Sequence, residues 1–223
     1  MRLLSTKILP PNLKDRLIQN NFSIVENAFI SIVPLTVEIN TLHKHVLFTS
    51  QNAVRLAFEN PNLKQLLQGK KTYCVGEKTA ALLTENGQKV LQIAQNATAL
   101  AEFLSKNLKN ESFSFICGVT RMTDLEKHLA TEKMPLTIHE IYRTENCPKK
   151  IAAHYDGILF FSPSAVTSFF SNNSIKNTTH CFCIGTTTAK AVAVHTDKFS
   201  IAKQPNEHHL LLSIRNYFSP SYD

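Results

Sequence analysis

The sequence predicts an α/β protein with two similar domains, each containing a parallel β-sheet that is covered by helices on both faces. Short apolar runs alternate with amphipathic segments along the 223 residues, a pattern typical of right-handed βαβ units. The chain also contains an internal repeat. Residues 46–54 (VLFTSQNAV) correspond to residues 158–166 (ILFFSPSAV), and residues 73–80 (YCVGEKTA) correspond to residues 182–189 (FCIGTTTA). Two similar domains would leave a cleft between them.

The first copy of the repeat reads as strands alternating with helices. Its strands are short runs rich in apolar and β-branched residues, and its helices carry apolar residues at helical spacing. Asn86-Gly87 stops one of these helices. We predict strands at Val46–Phe48, Thr72–Val75, Val90–Ile93 and Phe113–Cys117, and helices at residues 52–59, Thr79–Glu85, 98–108 and 122–130.

The second copy follows the same pattern but lacks an early strand of its own, which the N-terminus can supply. Its domain is then discontinuous, formed by residues 1–34 and 145–223, with the first domain, residues 41–134, inserted into it. The extended segments 35–40 and 135–144 would be crossing linker strands, a pair that is stiffer than one linker. The predicted strands are Arg2–Lys7, Phe22–Val25, Gly157–Phe161, His180–Ile184 and Phe199–Ala202, and the helices are Asn12–Asn20 and residues 164–171, 187–194 and 207–218.

Composition narrows the classes of function. The net charge of +7 and the pI of about 9.2 fit an anionic partner, which could be nucleic acid, a membrane surface or a polyacidic small molecule. The 14 phenylalanines occupy strand and helix cores instead of alternating with Lys and Arg, which disfavours RNA binding. No apolar stretch approaches the length of a membrane-spanning helix, so we expect no membrane span.

The cysteines and the N-terminus indicate the compartment. The five cysteines form no Cys-x-x-Cys pair and lie mainly in apolar runs, which argues against a disulfide framework and a zinc site. Residues 1–14 resemble neither a signal peptide nor a transit peptide. We therefore expect a cytoplasmic protein without a bound metal and, since no heptad pattern occurs, a monomer.

Polar turns follow four of the predicted strands. Residues 49–50 and 162–164 end one matched pair of strands, and residues 76–79 and 185–188 end the other. Ligands of doubly wound sheets bind at the carboxyl ends of the strands, where free helix N–H groups attract anions. Any single hydroxyl here is more simply explained as a helix cap, but four turns in matched places favour a binding cleft. No Gly-x-Gly-x-x-Gly, P-loop or Gly-x-Ser-x-Gly motif is present, which disfavours a nucleotide cofactor and serine hydrolase chemistry.

These motifs together resemble the uroporphyrinogen-III synthase family, over about Leu35 to Phe218. The resemblance implies two flavodoxin-like or Rossmann-like domains joined by a two-stranded connection. Its most specific parts are the Tyr-x-Thr strand and the spacing between the Phe-Phe-Ser-Pro-Ser turn and the second glycine turn. The matching segments are TSQNAV at 49–54, VGEKTA at 75–80, an arginine after Cys117-Gly118, IYRT at 141–144, FFSPSAV at 160–166 and IGTTTA at 184–189.

The resemblance implies a lyase that cyclises hydroxymethylbilane, a linear tetrapyrrole, to uroporphyrinogen III. Ring D is inverted and water is lost through a spiro intermediate, in tetrapyrrole and haem biosynthesis, with no cofactor or metal. The substrate carries eight carboxylates, which suits a basic protein, and it comes from solution or by transient contact with the preceding deaminase. The alternative is a non-enzymatic two-domain binder of an anionic small molecule. The Tyr142-x-Thr144 strand and the Ser-Pro-Ser turn favour the synthase.

The resemblance also implies roles for individual residues. Tyr142 would be the catalytic residue that hydrogen-bonds or protonates the departing hydroxyl, and its alternative role is that of a half-buried strand tyrosine. Arg121 would pair with a substrate carboxylate. This chain has Asn52 where some members carry arginine, and Thr6-Lys7 where the family has Thr-Arg. The expected substrate-binding residues are Thr6, Lys7, Ser50, Asn52, Thr79, Arg121, Ser162, Ser164, Thr187 and Thr188, with Thr186 as an alternative to the last two.

Overall fold

The structure, a computed structural model, describes residues 1–218 of the chain. Contacts between Cα atoms divide it into two units. Unit 1 comprises residues 1–31 and the chain from Glu145 onward, and unit 2 comprises Ile32–Thr144. Each unit is built on one β-sheet that is mainly parallel, so the predicted α/β class with parallel sheets is confirmed.

Strands and helices alternate through most of the described residues. The strands are β1 (Arg2–Ser5), β2 (Ser23–Glu26), β3 (Ile30–Pro34), β4 (His45–Phe48), β5 (Lys71–Val75), β6 (Val90–Ala94), β7 (Phe113–Gly118), β8 (Leu136–Asn146), β9 (Gly157–Phe160), β10 (His180–Cys183) and β11 (Phe199–Ile201). The helices are α1 (Pro11–Gln19), α2 (Gln51–Glu59), α3 (Pro61–Leu66), α4 (Glu77–Glu85), α5 (Ala97–Asn107), α6 (Asp124–Thr131), α7 (Pro163–Phe170), α8 (Thr186–Val192) and α9 (Glu207–Phe218).

The sheet of unit 2 has the strand order β3-β8-β7-β4-β5-β6. Its central strand β4 is buried along its whole length, because successive side chains enter the two separate cores on either side of the sheet. Val46 and Phe48 pack in one core, and Leu47 packs in the other. This covering of both faces explains why β4 reads as a continuous apolar run in the sequence.

The sheet of unit 1 has the order β11-β10-β9-β1-β2, with every neighbouring pair parallel. Strand β1 comes from the N-terminus and lies between β9 and β2, with Leu3 opposite Gly157. Alternate residues again enter two cores, Leu3 one and Leu4 the other. Unit 1 is therefore made from two stretches of chain that are far apart in sequence.

The two sheets place corresponding strands in the same spatial order. The series β6-β5-β4-β7-β8 in unit 2 matches the series β11-β10-β9-β1-β2 in unit 1, and the repeated segments form β4 with β5 and β9 with β10. The direction of strand addition reverses between β4 and β7 in unit 2, and between β9 and β1 in unit 1. Ligands of doubly wound sheets bind at such switch points.

The chain passes between the units along β3 and β8, which are neighbours in the sheet of unit 2. The prediction that Leu35–Asn40 is the first crossing strand is wrong, because the strand is β3, where Ile30, Ile32 and Val33 are β-branched and Pro34 ends the run. The segment 36–40 has no regular structure. Strand β8 covers the second predicted crossing and continues to Asn146.

Two other elements differ from the sequence-based expectation. Strand β1 ends at Ser5 and not at Lys7, because the Ser5 hydroxyl donates a hydrogen bond to the Lys7 carbonyl and turns the chain. The sequence pattern does not predict helix α3, although Asn60 caps it and Pro61 occupies its first position. No helix within residues 1–218 is long and apolar enough to cross a membrane.

Glu26 ties the end of β2 to the start of α1. Its carboxylate accepts a hydrogen bond from the Leu9 N–H at 2.6 Å and pairs with the Lys14 ammonium at 2.5 Å. Burial by itself raises the pKa of Glu26. The Lys14 ammonium and the Leu9 N–H favour the charged carboxylate more strongly, so the pKa is lowered overall.

We predict that Glu26→Gln lowers the free energy of unfolding at pH 7 by about 1 kcal/mol. The interactions that lower the pKa of Glu26 stabilise the folded state at pH values above the usual carboxyl pKa of 4.5. This contribution is lost as the pH falls through the folded-state pKa. The difference from wild type should therefore shrink in urea titrations performed at increasingly acid pH. Glu59→Gln, at an exposed position, is the control, and a pH-independent difference for Glu26→Gln would contradict the assignment.

Candidate functional site

A hydroxyl pair lies at the switch point of unit 2. Ser50 follows β4 and caps α2, with its Oγ accepting a hydrogen bond from the Asn52 N–H at 3.1 Å. The Tyr142 phenol, from β8, donates a hydrogen bond to the same Ser50 Oγ at 3.0 Å. Tyr142 and Ser50 are 92 residues apart in sequence, and the parallel sheet brings them to one end of the strands.

Gly118 makes this pairing possible. It ends β7, the strand that lies between β8 and β4, and it is the register partner of Tyr142 at a bulge. A Cβ atom at Gly118 would lie 2.6 Å from the Tyr142 ring carbons Cε2 and Cζ. The tyrosine ring therefore crosses the intervening strand at the one residue that has no side chain, and reaches Ser50 on the far side.

The environment keeps the Tyr142 phenol protonated. Its side chain is buried, with 7% of the residue exposed. Burial raises the pKa of the Tyr142 phenol, and the hydrogen bond to Ser50 opposes that shift only in part. Ser50 is half-buried, so the pair can supply neutral O–H groups to a ligand through its serine end.

Arg121 lies beside this pair but is engaged by two carboxylates. Its Nε donates to Glu126 at 2.5 Å, and its Nη1 donates to Glu140 at 2.6 Å and to the Gly118 carbonyl at 2.9 Å. Burial disfavours the guanidinium, but its hydrogen bonds to Glu126 and Glu140 favour it more strongly and raise the pKa of Arg121. These contacts hold the turn after β7 and neutralise the arginine charge within unit 2.

The other two predicted residues of unit 2 differ in exposure. Asn52 is half-buried in the first turn of α2, and its backbone N–H makes the contact with Ser50. Thr79 is buried in the first turn of α4, which follows Gly76 at a φ of +83°. That positive φ favours glycine, so this turn has a backbone requirement in addition to any role in binding.

Two strand ends meet at the switch point of unit 1. The Thr6 hydroxyl donates to the Leu159 carbonyl at 2.7 Å, and the Thr6 side chain is buried. The neighbouring Lys7 ammonium lies 4.3 Å from the centre of the Phe161 ring. Ser162 comes next in the chain, so the structure brings Thr6 and Lys7 close to the Ser-Pro-Ser turn.

The candidate hydroxyls at the helix N-termini of unit 1 differ in capping role and in exposure. Ser162 caps α7 by accepting a hydrogen bond from the Ala165 N–H at 3.2 Å, and Ser164 is half-buried in the first turn. At the start of α8, Thr187 is exposed like Thr186, whereas Thr188 is buried. Thr187 and Thr186 are thus the threonines that can reach a ligand with their side chains.

Three residues of this site were not singled out as candidates from the sequence. Gly118 could have been found, because a glycine at the end of an otherwise apolar strand often marks a close approach. Glu126 and Glu140 gave no such signal, since carboxylates on a helix and a strand are ordinary surface residues. Only the folded chain shows that both carboxylates hold Arg121.

Similarity to known proteins extends over most of the chain. A family model described as uroporphyrinogen-III synthase HemD matches residues 12–211. Uroporphyrinogen-III synthetase from Helicobacter pylori 26695 is similar, with a TM-score of 0.75 and 19% identity over 97% of this chain and 100% of that chain. A mutant uroporphyrinogen III synthase from the extremely thermophilic bacterium Thermus thermophilus has a TM-score of 0.65 and 14% identity, over 98% of each chain. A comparison with curated proteins found no match.

We predict that Gly118→Ala lowers the free energy of unfolding by about 1–3 kcal/mol, because the new methyl group overlaps the Tyr142 ring. The loss should be smaller when Tyr142→Ala is also present, and urea unfolding of the two single variants and the double variant measures this coupling. Gly185→Ala is the control, since its Cβ would meet only the Pro205 Cβ, at 3.6 Å. Additive losses at Gly118 and Tyr142 would contradict the proposed contact.

Proposed function

We propose, since this chain belongs to the uroporphyrinogen-III synthase family, that it closes hydroxymethylbilane into uroporphyrinogen III with inversion of ring D and loss of water. Membership of the family makes it an enzyme of tetrapyrrole and haem biosynthesis. The reaction class we propose is that of a cyclising lyase acting through a spiro intermediate. The non-enzymatic binder is not favoured.

The observation that carries the proposal is the Tyr142–Ser50 hydroxyl pair. Cyclisation starts when a hydroxyl group leaves the bilane, and a hydroxyl leaves readily only when it is protonated or strongly hydrogen-bonded. The raised pKa of Tyr142 keeps its phenol neutral, so the pair retains its O–H groups at physiological pH. The later bond formation requires ring D to be held in one orientation, which is a positioning task.

The substrate carboxylates need binding groups of a different kind. We propose that they bind at the helix N-termini beside the strand ends, through free backbone N–H groups and the side chains of Ser162, Ser164 and Thr187. Lys7 supplies positive charge near the first of these turns. The buried Thr6, Thr79 and Thr188 would then act by fixing the backbone of the turns that carry those groups.

We also propose that the protein works as a cytoplasmic monomer and needs no cofactor or metal. Support comes from its cysteines, which are all free, with four of the five buried. Burial raises the pKa of the Cys117 and Cys183 thiols to about 12, so both remain protonated and unreactive. A transient contact with the preceding deaminase remains part of the proposal, as one of two routes by which the bilane arrives.

An isomer assay tests the function. Freshly prepared hydroxymethylbilane is incubated with the protein, the products are oxidised, and uroporphyrins I and III are separated by chromatography. Spontaneous closure gives isomer I, so we expect isomer III to dominate only when folded protein is present. Heat-unfolded protein is the control. Isomer I alone from folded protein would reject the synthase and leave the anion-binding alternative.

We predict that Arg121→Gln acts on stability more than on substrate binding. Removing the guanidinium leaves Glu126 and Glu140 without their partner, which should lower the free energy of unfolding by about 2 kcal/mol. KM should change less than about threefold. Changing both glutamates to glutamine in the same chain should restore much of the lost stability. A tenfold rise in KM at unchanged stability would instead show that Arg121 binds a substrate carboxylate directly.

A further inference from the structure

We propose that Ser50 is the group that donates a proton to the departing hydroxyl, and that Tyr142 is a positioning residue which acts through Ser50. This inference deepens the proposed function and rests on it. It assigns the two hydroxyls of the pair different tasks. The assignment follows from three observations: the hydrogen bonds that already end on Ser50 Oγ, the exposure of the two side chains, and the location of Ser50 at the start of α2.

Hydrogen-bond capacity leaves one role open for Ser50. A serine hydroxyl has two acceptor sites and one proton to donate. The Asn52 N–H and the Tyr142 O–H occupy the two acceptor sites. Within residues 1–218, the structure gives the Ser50 proton no hydrogen-bond acceptor. The proton of Ser50 is therefore available to a ligand, whereas the proton of Tyr142 is already used.

The direction of the bond between the two hydroxyls follows from their chemistry. A phenol is much more acidic than an alkyl hydroxyl and is the better donor, and the helix cap already requires Ser50 Oγ to be an acceptor. The exposure of the two side chains supports the same assignment of roles. Tyr142 is 7% exposed and lies behind Ser50, which is half-buried, so a ligand meets the serine first.

Both contacts make Ser50 a better donor than a serine in water. Each hydrogen bond into Oγ draws electron density away from the oxygen, and successive hydrogen bonds polarise one another. Ser50 also lies at the N-terminus of α2, a helix of nine residues, where the helix dipole favours negative charge. The oxygen that must give up its proton is thus stabilised from two sides during the transfer.

The proton balance closes without an oxidant or reductant. Ser50 gives its proton to the bilane hydroxyl, the carbon–oxygen bond breaks with its electron pair on oxygen, and water leaves. Electrons of the terminal pyrrole nitrogen stabilise the resulting cation. Ser50 regains a proton from Tyr142. The ring D carbon that forms the spiro intermediate has no proton to lose; its bond to the methylene bridge then breaks, and the unsubstituted α-carbon of ring D bonds to that bridge. This α-carbon loses a proton, which returns through Ser50 to the Tyr142 phenolate.

The test separates proton donation by Ser50 from its capping of α2. Ser50→Thr retains the hydroxyl, Ser50→Asn retains a capping acceptor without a transferable hydroxyl proton, and Ser50→Ala removes both. We expect kcat for isomer III to stay within about fivefold of wild type for Ser50→Thr, and to fall by about 10²-fold for the other two. Asn96→Ala, which removes the cap of α5, is the matched control and should leave kcat unchanged.

Tyr142→Phe tests the positioning role. We expect kcat to fall by about tenfold, less than in Ser50→Ala, with KM changed little. In mixtures of H2O and D2O, the wild-type rate should depend on the deuterium fraction of the solvent along a curve, because two protons move. In Tyr142→Phe this dependence should become linear. A merely structural tyrosine would lower stability and leave the shape of this dependence as it is in wild type.

Two results would overturn the inference. One is a Ser50→Asn variant that keeps kcat within about fivefold while Tyr142→Phe loses about 10²-fold, which would make Tyr142 the direct donor. The other is a linear dependence on deuterium content in the wild type. Failure of the proposed function itself would look different, because the wild-type protein would then produce no isomer III.

Discussion

Parallel pairing is the constraint on which the rest of this structure depends. Parallel strands cannot be joined by tight turns, so each connection crosses a face of the sheet, and helices cover both faces. The covered strands must be apolar on both sides, as Val46, Leu47 and Phe48 are in unit 2. Polar side chains then concentrate at the strand ends. The carboxyl ends of the strands and the helix N-termini share one edge of each sheet, and this is the edge at which doubly wound sheets bind ligands.

The site of unit 2 shows how tight packing and polar chemistry support each other. The ring of Tyr142 lies against Gly118, and its hydroxyl donates a hydrogen bond to Ser50, the N-cap residue of α2. The same contacts that bury the ring also orient Ser50, so the geometry does not depend on a flexible side chain. Nearby, the Arg121 guanidinium forms ion pairs with Glu126 and Glu140 and holds the turn after β7. Rigid neutral donors suit a substrate that is reactive by itself and needs mainly to be oriented.

Most strands and helices could be predicted from the sequence because each apolar run forms one buried element between polar turns. The errors have local causes. Pro34 ends the first crossing strand instead of preceding it, and α3, with six residues, is too short to show helical periodicity. Ser50 and Ser162 could be located because they follow strands. The burial of Thr188 and the ion pairs of Arg121 could not be predicted, because they depend on residues that only the folded chain brings together.

The origin of β1 has a consequence during synthesis on the ribosome. Leu3 and Leu4 lie in a strand whose partner β9 begins at Gly157, and Phe29 packs against Phe169. More than a hundred residues must be translated before these partners exist, which takes on the order of ten seconds. Unit 2 lies entirely within that interval and contains its own core. The apolar side chains of the nascent N-terminus therefore remain without these partners until all of unit 2 has been translated.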